Sequence, residues 1–423
     1  MDPLPRSLLP DTAEVGPDGH LRVGGCDVLD LAAEFGTPLF VYDEAHLRAR
    51  CREAVAAFPD GGAHYATKAF LCLEMARLAY AEGMRLDVST GGEYHVARAA
   101  GVPASALTLH GNNKSTDELR LALTEGVGHV VVDSFDELDR IDALVAEGLT
   151  PPRVLLRLTP GIEAHTHEFV QTGQDDSKFG FGVHTGAAQA AFERASASPS
   201  VELVGLHMHI GSQIFDAESF QRAIEVLAPW FRDHRLPELC VGGGLGVPYV
   251  AGESSATITE WAATVHAAVA AAGIDARVSA EPGRAIAAAA GLTFYTVGTI
   301  KDIPDIRTYV AVDGGMSDNP RPVLYGSGYE AFLPRASDAP RRRQVTVVGK
   351  HCESGDVLVR DGWVPEDLAV GDVLATPVTG AYGASMGSNY NKVPRPAVVF
   401  VADGAARLVV RRESYDDLLR SDV

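Results

Sequence analysis

The sequence predicts an α/β chain in which a parallel (β/α)8 barrel is joined to a second, β-rich domain. Between residues 64 and 280, eight short apolar runs are separated by segments in which apolar residues have helical spacing. Near Ala290 this alternation stops, and strand-like runs then succeed one another with turns between them. A repeated strand–helix unit is typical of a parallel barrel, but a doubly wound open sheet has similar units, so the period alone leaves both open.

The first domain is preceded by an extended, turn-rich segment, residues 1–37, with Asp18-Gly19 and Gly24-Gly25 as turn signals. A strand at residues 38–42 and a helix at residues 45–58 come next. The eight predicted barrel strands are residues 64–68, 85–89, 107–110, 129–133, 154–158, 202–209, 238–242 and 277–280. The predicted helices between them are residues 72–82, 93–100, 116–125, 135–147, 186–196, 217–233 and 258–272.

The second domain is predicted to be a β-sandwich or β-barrel. Its predicted strands are residues 292–300, 308–312, 344–348, 357–359, 373–377, 397–401 and 406–410, with a short helix after them at residues 414–420. Because residues 1–37 are also extended, we expect them to join this domain. The predicted boundaries are therefore residues 38–288 for the barrel, and residues 1–37 with 289–423 for the β-rich domain.

Composition and charge exclude several classes of partner. The chain has 423 residues and a net charge of −20, so it has no electrostatic footprint for nucleic acid or an anionic membrane. Its 14 histidines are scattered without the close spacing of a zinc site, and we expect no metal. Five cysteines lie far apart, which does not indicate a disulfide framework and favours a reducing cytosol.

The sequence also predicts a cytoplasmic protein without a membrane partner. Residues 1–15 carry acids and prolines and no apolar core, unlike a secretory signal peptide. The longest uncharged stretch, residues 285–300, is rich in Ala, Gly and Thr and is shorter than the roughly 20 residues that a membrane span needs.

One lysine stands out in A-H-Y-A-T-K-A-F, residues 63–70. Lys68 ends a short apolar run and has small residues on both sides. A lysine buried at a strand end is costly to keep charged, and its uncharged amine is a nucleophile suited to an aldehyde. The octapeptide alone favours a lysine that simply reaches water, so the hypothesis depends on the motifs at the ends of the later strands.

Residues able to do chemistry recur at the carboxyl ends of the predicted barrel strands. In a (β/α)8 barrel these ends meet on one face, where active sites are built. Chance would scatter such residues, so their recurrence predicts one shared site. They are Lys68, Asp87, Ser89, His110 with Gly111-Asn112-Asn113, Arg157, His209-Ile210-Gly211-Ser212-Gln213, Val241 to Gly246 and Glu281-Pro282-Gly283-Arg284.

Four of these features together describe pyridoxal 5′-phosphate. Gly242-Gly243-Gly244 can bring bare backbone N–H groups close to a phosphate, and Ser212 offers a hydroxyl on the neighbouring loop. Glu281 can hold a protonated ring nitrogen, and His209 can lie on a flat ligand. With Lys68 for an aldehyde, the set matches this cofactor. The G-G-G-L-G run is not a dinucleotide-binding fingerprint, since its glycine spacing differs.

From Thr37 to Asn391 the chain resembles the diaminopimelate decarboxylases, which are pyridoxal-phosphate enzymes of the alanine-racemase-like fold, type III. H-I-G-S-Q and E-P-G-R are shared with ornithine and arginine decarboxylases, and C-E-S-G-D points to the diaminopimelate branch. The matching stretches are H-Y-A-T-K-A-F, L-D-V-S-T-G-G-E, H-G-N-N-K-S, E-A-H-T-H-E-F, S-K-F-G, H-I-G-S-Q, G-G-G-L-G-V-P-Y, E-P-G-R, D-G-G-M-S-D-N-P-R-P, C-E-S-G-D and G-A-Y-G-A-S-M-G-S-N-Y-N.

The resemblance implies a role for each matching residue. Lys68 holds the cofactor covalently, and Cys352 protonates the carbon that has lost CO2. Asp87 orients Lys68 or His209, and Arg157 lies near the ring hydroxyl. The residues implied to bind the cofactor are Lys68, Asp87, His209, Ser212, Gly242, Gly243, Gly244, Glu281, Pro282, Gly283, Arg284 and Tyr382. Those implied to bind the substrate are Arg157, Arg284, Arg321, Tyr325, Glu353 and Tyr382, and sequence does not decide between phosphate and substrate for Arg284.

The resemblance also implies a homodimer, because in this family the segment with Cys352 and Glu353 reaches into the partner's barrel and the β-rich domain completes the active site. The expected reaction is decarboxylation of meso-2,6-diaminopimelate to L-lysine and CO2, the last step of lysine biosynthesis.

The nearest alternative is a related decarboxylase of another amino acid, free or carrier-bound, in a secondary pathway. A racemase is disfavoured by Glu281 and by the Cys352-Glu353 pair. The β-rich residues 290–423 disfavour a non-catalytic pyridoxal-phosphate-binding protein.

Overall fold

The computed structural model describes residues 1–162, 176–215 and 218–423, and the chain forms two compact units. One unit comprises Arg50–Gly246 and Ser255–Ala285, and the other comprises Met1–Ala49, Val247–Ser254 and Ile286–Val423. The chain thus leaves the first unit briefly at Val247–Ser254, an excursion absent from the predicted boundaries. Among the described residues, no helix combines the length and the apolar run required to cross a membrane.

The first unit is a parallel (β/α)8 barrel, as predicted. Its eight strands pair with their sequence neighbours, and the barrel closes where the His64 N–H donates to the Ala280 carbonyl and the Ala280 N–H donates to the Gly62 carbonyl, both at 2.9 Å. The strands are His64–Ala66, Arg85–Val88, Leu107–Leu109, His129–Val132, Arg153–Thr159, Glu202–His207, Glu238–Cys240 and Arg277–Ser279, and the short strand Phe181–Gly182 pairs beside the fifth.

Helices follow the barrel strands, in agreement with the apolar spacing. Their starts are fixed by side chains that accept backbone N–H groups, for example Ser115 and Thr257, each of which forms a capping box with a glutamate. The helices are Glu44–Ala57, which begins before the unit boundary, Leu73–Ala81, Gly91–Ala99, Thr116–Glu125, Phe135–Ala146, Ala187–Ala197, Glu218–His234, Ile258–Ala271 and Arg284–Ala287, with 3-10 turns at Thr67–Ala69 and Ala104–Ala106.

The second unit is β-rich, as predicted, and it includes the N-terminal strands. A three-stranded antiparallel sheet comprises Glu14–Val15, Leu21–Val23 and Cys26–Asp27. An eight-stranded sheet comprises Leu39–Asp43, Gly291–Ile303, Arg307–Val312, Arg343–Val348, Val357–Val364, Val373–Thr376, Ala397–Ala402 and Ala405–Val410. The long strand Gly291–Ile303 pairs with three others, and the large side chains Phe40, Tyr42, Phe294 and Phe400 are fully buried in this unit.

Two details of the second unit differ from the prediction. Leu39–Asp43 lies in the eight-stranded sheet, although the boundary at residue 38 assigned it to the barrel. The segment predicted as wholly extended contains the helix Val28–Phe35, which begins because the Asp27 carboxylate accepts the Leu29 N–H at 2.9 Å. Other helical segments are Arg321–Tyr325 and 3-10 turns at Arg6–Leu8, Pro334–Ala336, Ala384–Met386, Tyr390–Lys392 and Asp417–Leu419, the last within the predicted 414–420 helix.

A buried ion pair fixes the loop after the third barrel strand. Lys114 is 2% exposed, and its ammonium donates to the carbonyls of Gly111 at 2.7 Å and Val131 at 2.6 Å. The same nitrogen lies 2.8 Å from the Glu137 carboxylate, which is 1% exposed. Because neither charge reaches water, each depends on the other for solvation.

Lys114→Met is expected to destabilise the protein by about 3–5 kcal/mol, because it leaves the Glu137 carboxylate buried without a cation. The double variant Lys114→Met/Glu137→Leu should recover most of this loss, since no buried charge remains. Urea unfolding monitored by fluorescence measures both. Equal destabilisation by the single and double variants would show that packing, and not the charge, accounts for the loss.

Candidate active site

Lys68 lies directly after the first barrel strand, but it is not buried as predicted. The strand ends at Ala66, and residues Thr67–Ala69 form a 3-10 turn that leaves Lys68 exposed between buried Thr67 and Ala69. The prediction that burial makes this amine nucleophilic is therefore wrong for the chain alone. Lys68 is within electrostatic reach of Asp87 and His209, so it does belong to the cluster at the strand ends.

The glycine run after the seventh strand forms a cradle that no larger residue could form. A Cβ on Gly242 would lie 2.4 Å from the Met208 carbonyl oxygen, and one on Gly244 would lie 2.3 Å from the Gly211 carbonyl oxygen. Both glycines also have positive φ, 68° and 107°. The Glu281 N–H donates to the Gly242 carbonyl at 2.8 Å, which ties this loop to the one after the eighth strand.

Arg284 and Ser212 meet beside these loops. Arg284 is buried and begins the short helix Arg284–Ala287, and its Nη2 donates to Ser212 Oγ at 2.8 Å. Pro282 and Gly283 complete the turn before it: the Pro282 carbonyl accepts the Ala66 N–H at 3.4 Å, and a Cβ on Gly283 would lie 2.9 Å from the Ala66 carbonyl oxygen. The loops after the first, sixth and eighth strands are thus held together.

His209 is a neutral ring at working pH. Burial lowers its pKa well below the usual value, and the nearby Lys68 and Arg157 cations act in the same direction. In agreement, the Gly243 N–H lies 3.2 Å from His209 Nδ1 and donates to it, so that nitrogen carries no proton. A neutral, planar imidazole is suited to stacking on an aromatic ligand.

Glu281 is the centre of a buried polar cluster. Its Oε1 lies 2.9 Å from His110 Nε2 and accepts from Cys240 Sγ at 3.2 Å, and its Oε2 lies 3.1 Å from His207 Nε2. Asp87 lies 3.4 Å from the same His110 nitrogen. Side chains from several strands therefore converge on one carboxylate inside the barrel.

Arg157 lies inside the barrel among the same charges. It is buried, its Nε lies 3.9 Å from Asp133 Oδ1, and its guanidinium carbon is 4.3 Å from the centre of the Phe179 ring. Burial lowers its pKa, while Asp133, Glu281 and Asp87 act in the opposite direction. Its charge is thus held by surrounding acids and an aromatic face.

In the β-rich unit, Arg321 is held by two tyrosines that have no assigned role in the sequence. Arg321 is 4% exposed and donates to the Tyr329 hydroxyl at 2.5 Å, and its guanidinium carbon lies 4.2 Å from the centre of the Tyr249 ring. Tyr382 is within electrostatic reach of it. Tyr325 is half-buried at the end of the same short helix.

Cys352 and Glu353 lie on an exposed loop that is anchored on both sides. The buried His351 engages Ser317 Oγ through Nε2 at 2.9 Å and Asn391 Oδ1 through Nδ1 at 3.0 Å. The Asp356 carboxylate accepts the His351 N–H at 2.9 Å and the Met316 N–H at 2.7 Å. The Tyr390 hydroxyl donates to Glu353. The side chains of Cys352 and Glu353 are thus exposed on a loop whose flanking residues are held by hydrogen bonds.

Several of these residues were missed in the sequence, and a signal existed for some. His207 lies two positions before His209 in the same segment, and strand alternation predicts that both side chains share a face. His110 was recognised at a strand end but received no role. Tyr249 ends the G-G-G-L-G-V-P-Y stretch, which was a signal for it, whereas Tyr329 carries no local pattern that would identify it. The E-A-H-T-H-E-F motif, residues 163–169, lies outside the described residues.

The barrel residues fit pyridoxal 5′-phosphate. The glycine cradle leaves room only for a group that approaches bare backbone, as a phosphate does, and Arg284 and Ser212 lie beside it. Glu281 offers a buried carboxylate to a protonated ring nitrogen, and the neutral His209 offers a flat face. The exposed Lys68 amine is accessible to an aldehyde.

Comparison with known proteins agrees with this fit. Residues 44–288 match the family model described as pyridoxal-dependent decarboxylase, pyridoxal binding domain. The chain is 49% identical to diaminopimelate decarboxylase of Mycobacterium tuberculosis over 96% of this chain and 95% of that one. It is 45% identical to the Bacillus subtilis protein of the same name, over 98% of each.

Solved structures give the same result. The structure of diaminopimelate decarboxylase from M. jannaschii in complex with L-lysine is 31% identical in sequence, with a TM-score of 0.90 over 98% of both chains. The Helicobacter pylori enzyme, also complexed with L-lysine, is 30% identical, with a TM-score of 0.86 over 93% of this chain and 98% of that one.

Proposed function

Since the chain belongs to the pyridoxal-dependent decarboxylases, and among them to the diaminopimelate decarboxylases, we propose that it converts meso-2,6-diaminopimelate to L-lysine and CO2 with the residues described above. It is a carboxy-lyase, and its cofactor is pyridoxal 5′-phosphate. The observation that carries the assignment of residues is that Glu281, a buried carboxylate with a strongly lowered pKa, lies next to the glycine cradle at Gly242 to Gly244. Its backbone N–H donates to the Gly242 carbonyl at 2.8 Å.

When bound, the cofactor supplies an aldehyde that forms a covalent link and a ring that accepts the electrons left by departing CO2. Lys68 Nζ provides the amine for that link, and Asp87 orients it. The backbone of Gly242 to Gly244 and the Ser212 hydroxyl hold the phosphate, with Arg284 beside them. His209 would stack on the ring, Glu281 would keep the ring nitrogen protonated, and Arg157 would lie near the ring hydroxyl.

The substrate is held at its far end by the β-rich residues. Arg321 pairs with the distal carboxylate, Glu353 with the distal ammonium, and Tyr325 and Tyr382 donate hydroxyl groups. Cys352 Sγ delivers a proton to the carbon that loses CO2. The exposure of Cys352 and Glu353 on an anchored loop supports their insertion into the site of a partner subunit. We therefore propose a homodimer in which each site draws on both chains.

Domain boundaries and location complete the proposal. We propose that residues 38–288 contain the cofactor-binding domain and that residues 1–37 with 289–423 belong to the domain that completes the active site. Residues 38–49, 247–254 and 286–288 are exceptions, because they belong to the second compact unit. We also propose a cytoplasmic location. The five cysteines of the chain are free, four of them buried and Cys352 exposed, which supports a reducing compartment.

Release of CO2 from a panel of diamino acids, with and without added pyridoxal 5′-phosphate, tests the proposed function. Meso-diaminopimelate should yield equal amounts of CO2 and L-lysine, and turnover should depend on the cofactor. Equal turnover of lysine or ornithine would contradict the proposal and favour a decarboxylase of another amino acid.

Arg321→Ala is expected to reduce turnover of diaminopimelate far more than any residual turnover of lysine. Lysine lacks the distal carboxylate, so it gains nothing from this cation, whereas diaminopimelate loses a buried charge partner. Such a loss costs about 2–5 kcal/mol, or roughly 30-fold to several thousand-fold in kcat/KM. Steady-state kinetics on both substrates measure the ratio.

Two variants serve as controls for this prediction. Arg343→Ala removes an arginine that pairs with the exposed Asp302 in the same unit, and it should leave the ratio unchanged. Arg321→Lys keeps the charge but loses the planar fork, so it should restore only part of the selectivity. An unchanged substrate ratio in Arg321→Ala would remove Arg321 from the binding site.

A further inference from the structure

Two histidines without an assigned role contact the carboxylate of Glu281. His110 follows the third barrel strand, His207 ends the sixth, and Glu281 follows the eighth, so the closed barrel alone brings them together. Their nitrogens lie 2.9 Å and 3.1 Å from the two different oxygens of Glu281. All three side chains belong to residues that are at most 5% exposed. His207 is hydrogen-bonded to Oε2 and Cys240 Sγ donates to Oε1, while His110 Nε2 lies beside Oε1 at ion-pair distance, so protein groups surround both oxygens.

The histidines also determine the charge of this carboxylate. Burial by itself raises the pKa of Glu281, and His110 and His207 reverse that effect and hold it well below the usual value. Burial raises the pKa of the neighbouring Asp87 to about 7, against the opposing effect of His110. The pKa values of two buried carboxyl groups that flank one imidazole are therefore shifted in opposite directions, downward for Glu281 and upward for Asp87.

His207 contacts Glu281 through one of its two ring nitrogens. Its Nε2 lies 3.1 Å from Glu281 Oε2, while its Nδ1 is buried and has no hydrogen-bond partner among the described residues. The one polar contact of this buried ring is thus made with the carboxylate.

We propose that His110 and His207 are positioning residues that hold Glu281 as an ionised, oriented carboxylate for the protonated ring nitrogen of the cofactor. This inference rests on the proposed function and deepens it. The other titratable and charged groups near Glu281 are His64, Asp87, Arg157, His209 and Cys240. His64 and His209 are neutral because burial lowers their pKa values, His64 to about 3, so Asp87 is the neighbour that titrates near pH 7.

The test compares His207→Ala, His207→Gln and the double variant His110→Ala/His207→Ala. Glutamine retains an N–H donor close to the position of Nε2, whereas alanine removes it. His266→Ala is the matched control, because His266 lies in the same unit on the helix Ile258–Ala271 and contacts the Ala57 carbonyl at 2.9 Å. Thermal unfolding of each variant shows whether it is folded.

The first measurement is the infrared carboxylate band of Glu281 in cofactor-free protein, identified by difference from Glu281→Gln. In the wild type this band should remain that of the ionised group throughout the range in which the protein is folded. In the double variant the histidines no longer oppose the effect of burial, so the pKa of Glu281 should rise. The Glu281 carboxylate should then take up a proton as the pH falls through that raised pKa. His207→Gln should behave nearly as the wild type.

The second measurement is the dissociation constant of pyridoxal 5′-phosphate, obtained by titrating the cofactor-free protein. His207→Ala should weaken binding by roughly 10- to 100-fold, the range for loss of a hydrogen bond to a charged group, and the double variant should weaken it at least as much. An unchanged Glu281 band together with unchanged cofactor affinity in the double variant would overturn the proposal. So would a stoichiometric divalent metal that the wild type retains and the double variant loses, because the triad would then be a metal site.

The two proposals fail in different ways. If wild-type protein does not bind pyridoxal 5′-phosphate at all, the proposed function fails. If the wild type binds it and the histidine variants bind it equally well, only the present inference fails. Should the double variant not fold, the comparison of His207→Ala with His207→Gln gives the same decision, since glutamine keeps an N–H donor on a side chain of similar reach and alanine removes both.

Discussion

Lys68→Ala is expected to lose the covalently held cofactor and nearly all turnover. The amine of Lys68 is exposed at the strand ends and interacts with Asp87 and His209, so no solvent amine can replace its placement. A positioned group acts at an effective concentration of about 10⁵–10⁸ M, so its removal should cost several orders of magnitude in kcat. Borohydride reduction and then peptide mass mapping measure the covalent link directly.

The matched control for Lys68→Ala is Lys301→Ala, which removes an exposed lysine of the β-rich unit. Lys301→Ala should retain both the reducible link and the activity. Mapping of the reduced cofactor to any lysine other than Lys68 in the wild type would show that the assignment is wrong.

Cys352→Ala should bind cofactor and substrate but lose turnover by roughly 10²–10⁴-fold, the usual contribution of a placed proton donor. If the site is shared between subunits, mixing inactive Cys352→Ala with inactive Lys68→Ala restores activity. A mixed dimer has one complete site, and random exchange in a two-fold dimer should restore about a quarter of wild-type activity. Activity after dissociation and reassociation of the mixture measures this.

The control for this experiment mixes Cys352→Ala with the double variant Lys68→Ala/Cys352→Ala. No dimer formed from those chains contains Cys352, so no activity should return. Absence of rescue in the first mixture, with subunit exchange demonstrated by mass spectrometry, would mean that both residues act within a single chain.

Much of the fold could be predicted because hydrophobic periodicity is a local property. All eight barrel strands and the helices between them agree with the spacing of apolar residues. Their predicted bounds differ from those in the structure by no more than two residues at any end. The helix Val28–Phe35 was missed because it has only eight residues, and two helical turns give too short a pattern among neighbouring turn signals. The strand Leu39–Asp43 was found, but its sheet depends on distant partners at residues 291–294 and 397–401.

The candidate site was partly predictable for the same reason. Chemistry-bearing residues at strand ends are visible in sequence, and the barrel topology places those ends on one face. Contacts that cross the barrel are not visible, since they depend on its closure. The aromatic contacts of Arg321 with Tyr249 and Tyr329 likewise join positions up to about 70 residues apart in sequence, without a local pattern.

The sequence by itself determined the order of strands and helices and the position of the glycine run after the seventh barrel strand, and it predicts Lys68 and Cys352 as the reactive groups. Only the tertiary structure decided the burial and the charge of the side chains at the site. It leaves Lys68 exposed where burial was predicted, it lowers the pKa of Glu281 well below the usual value, and it raises the pKa of Asp87 to about 7. The physical reason is that a side chain's charge depends on burial and on neighbours within a few ångströms, and here His110 and His207 reach Glu281 from other strands of the closed barrel.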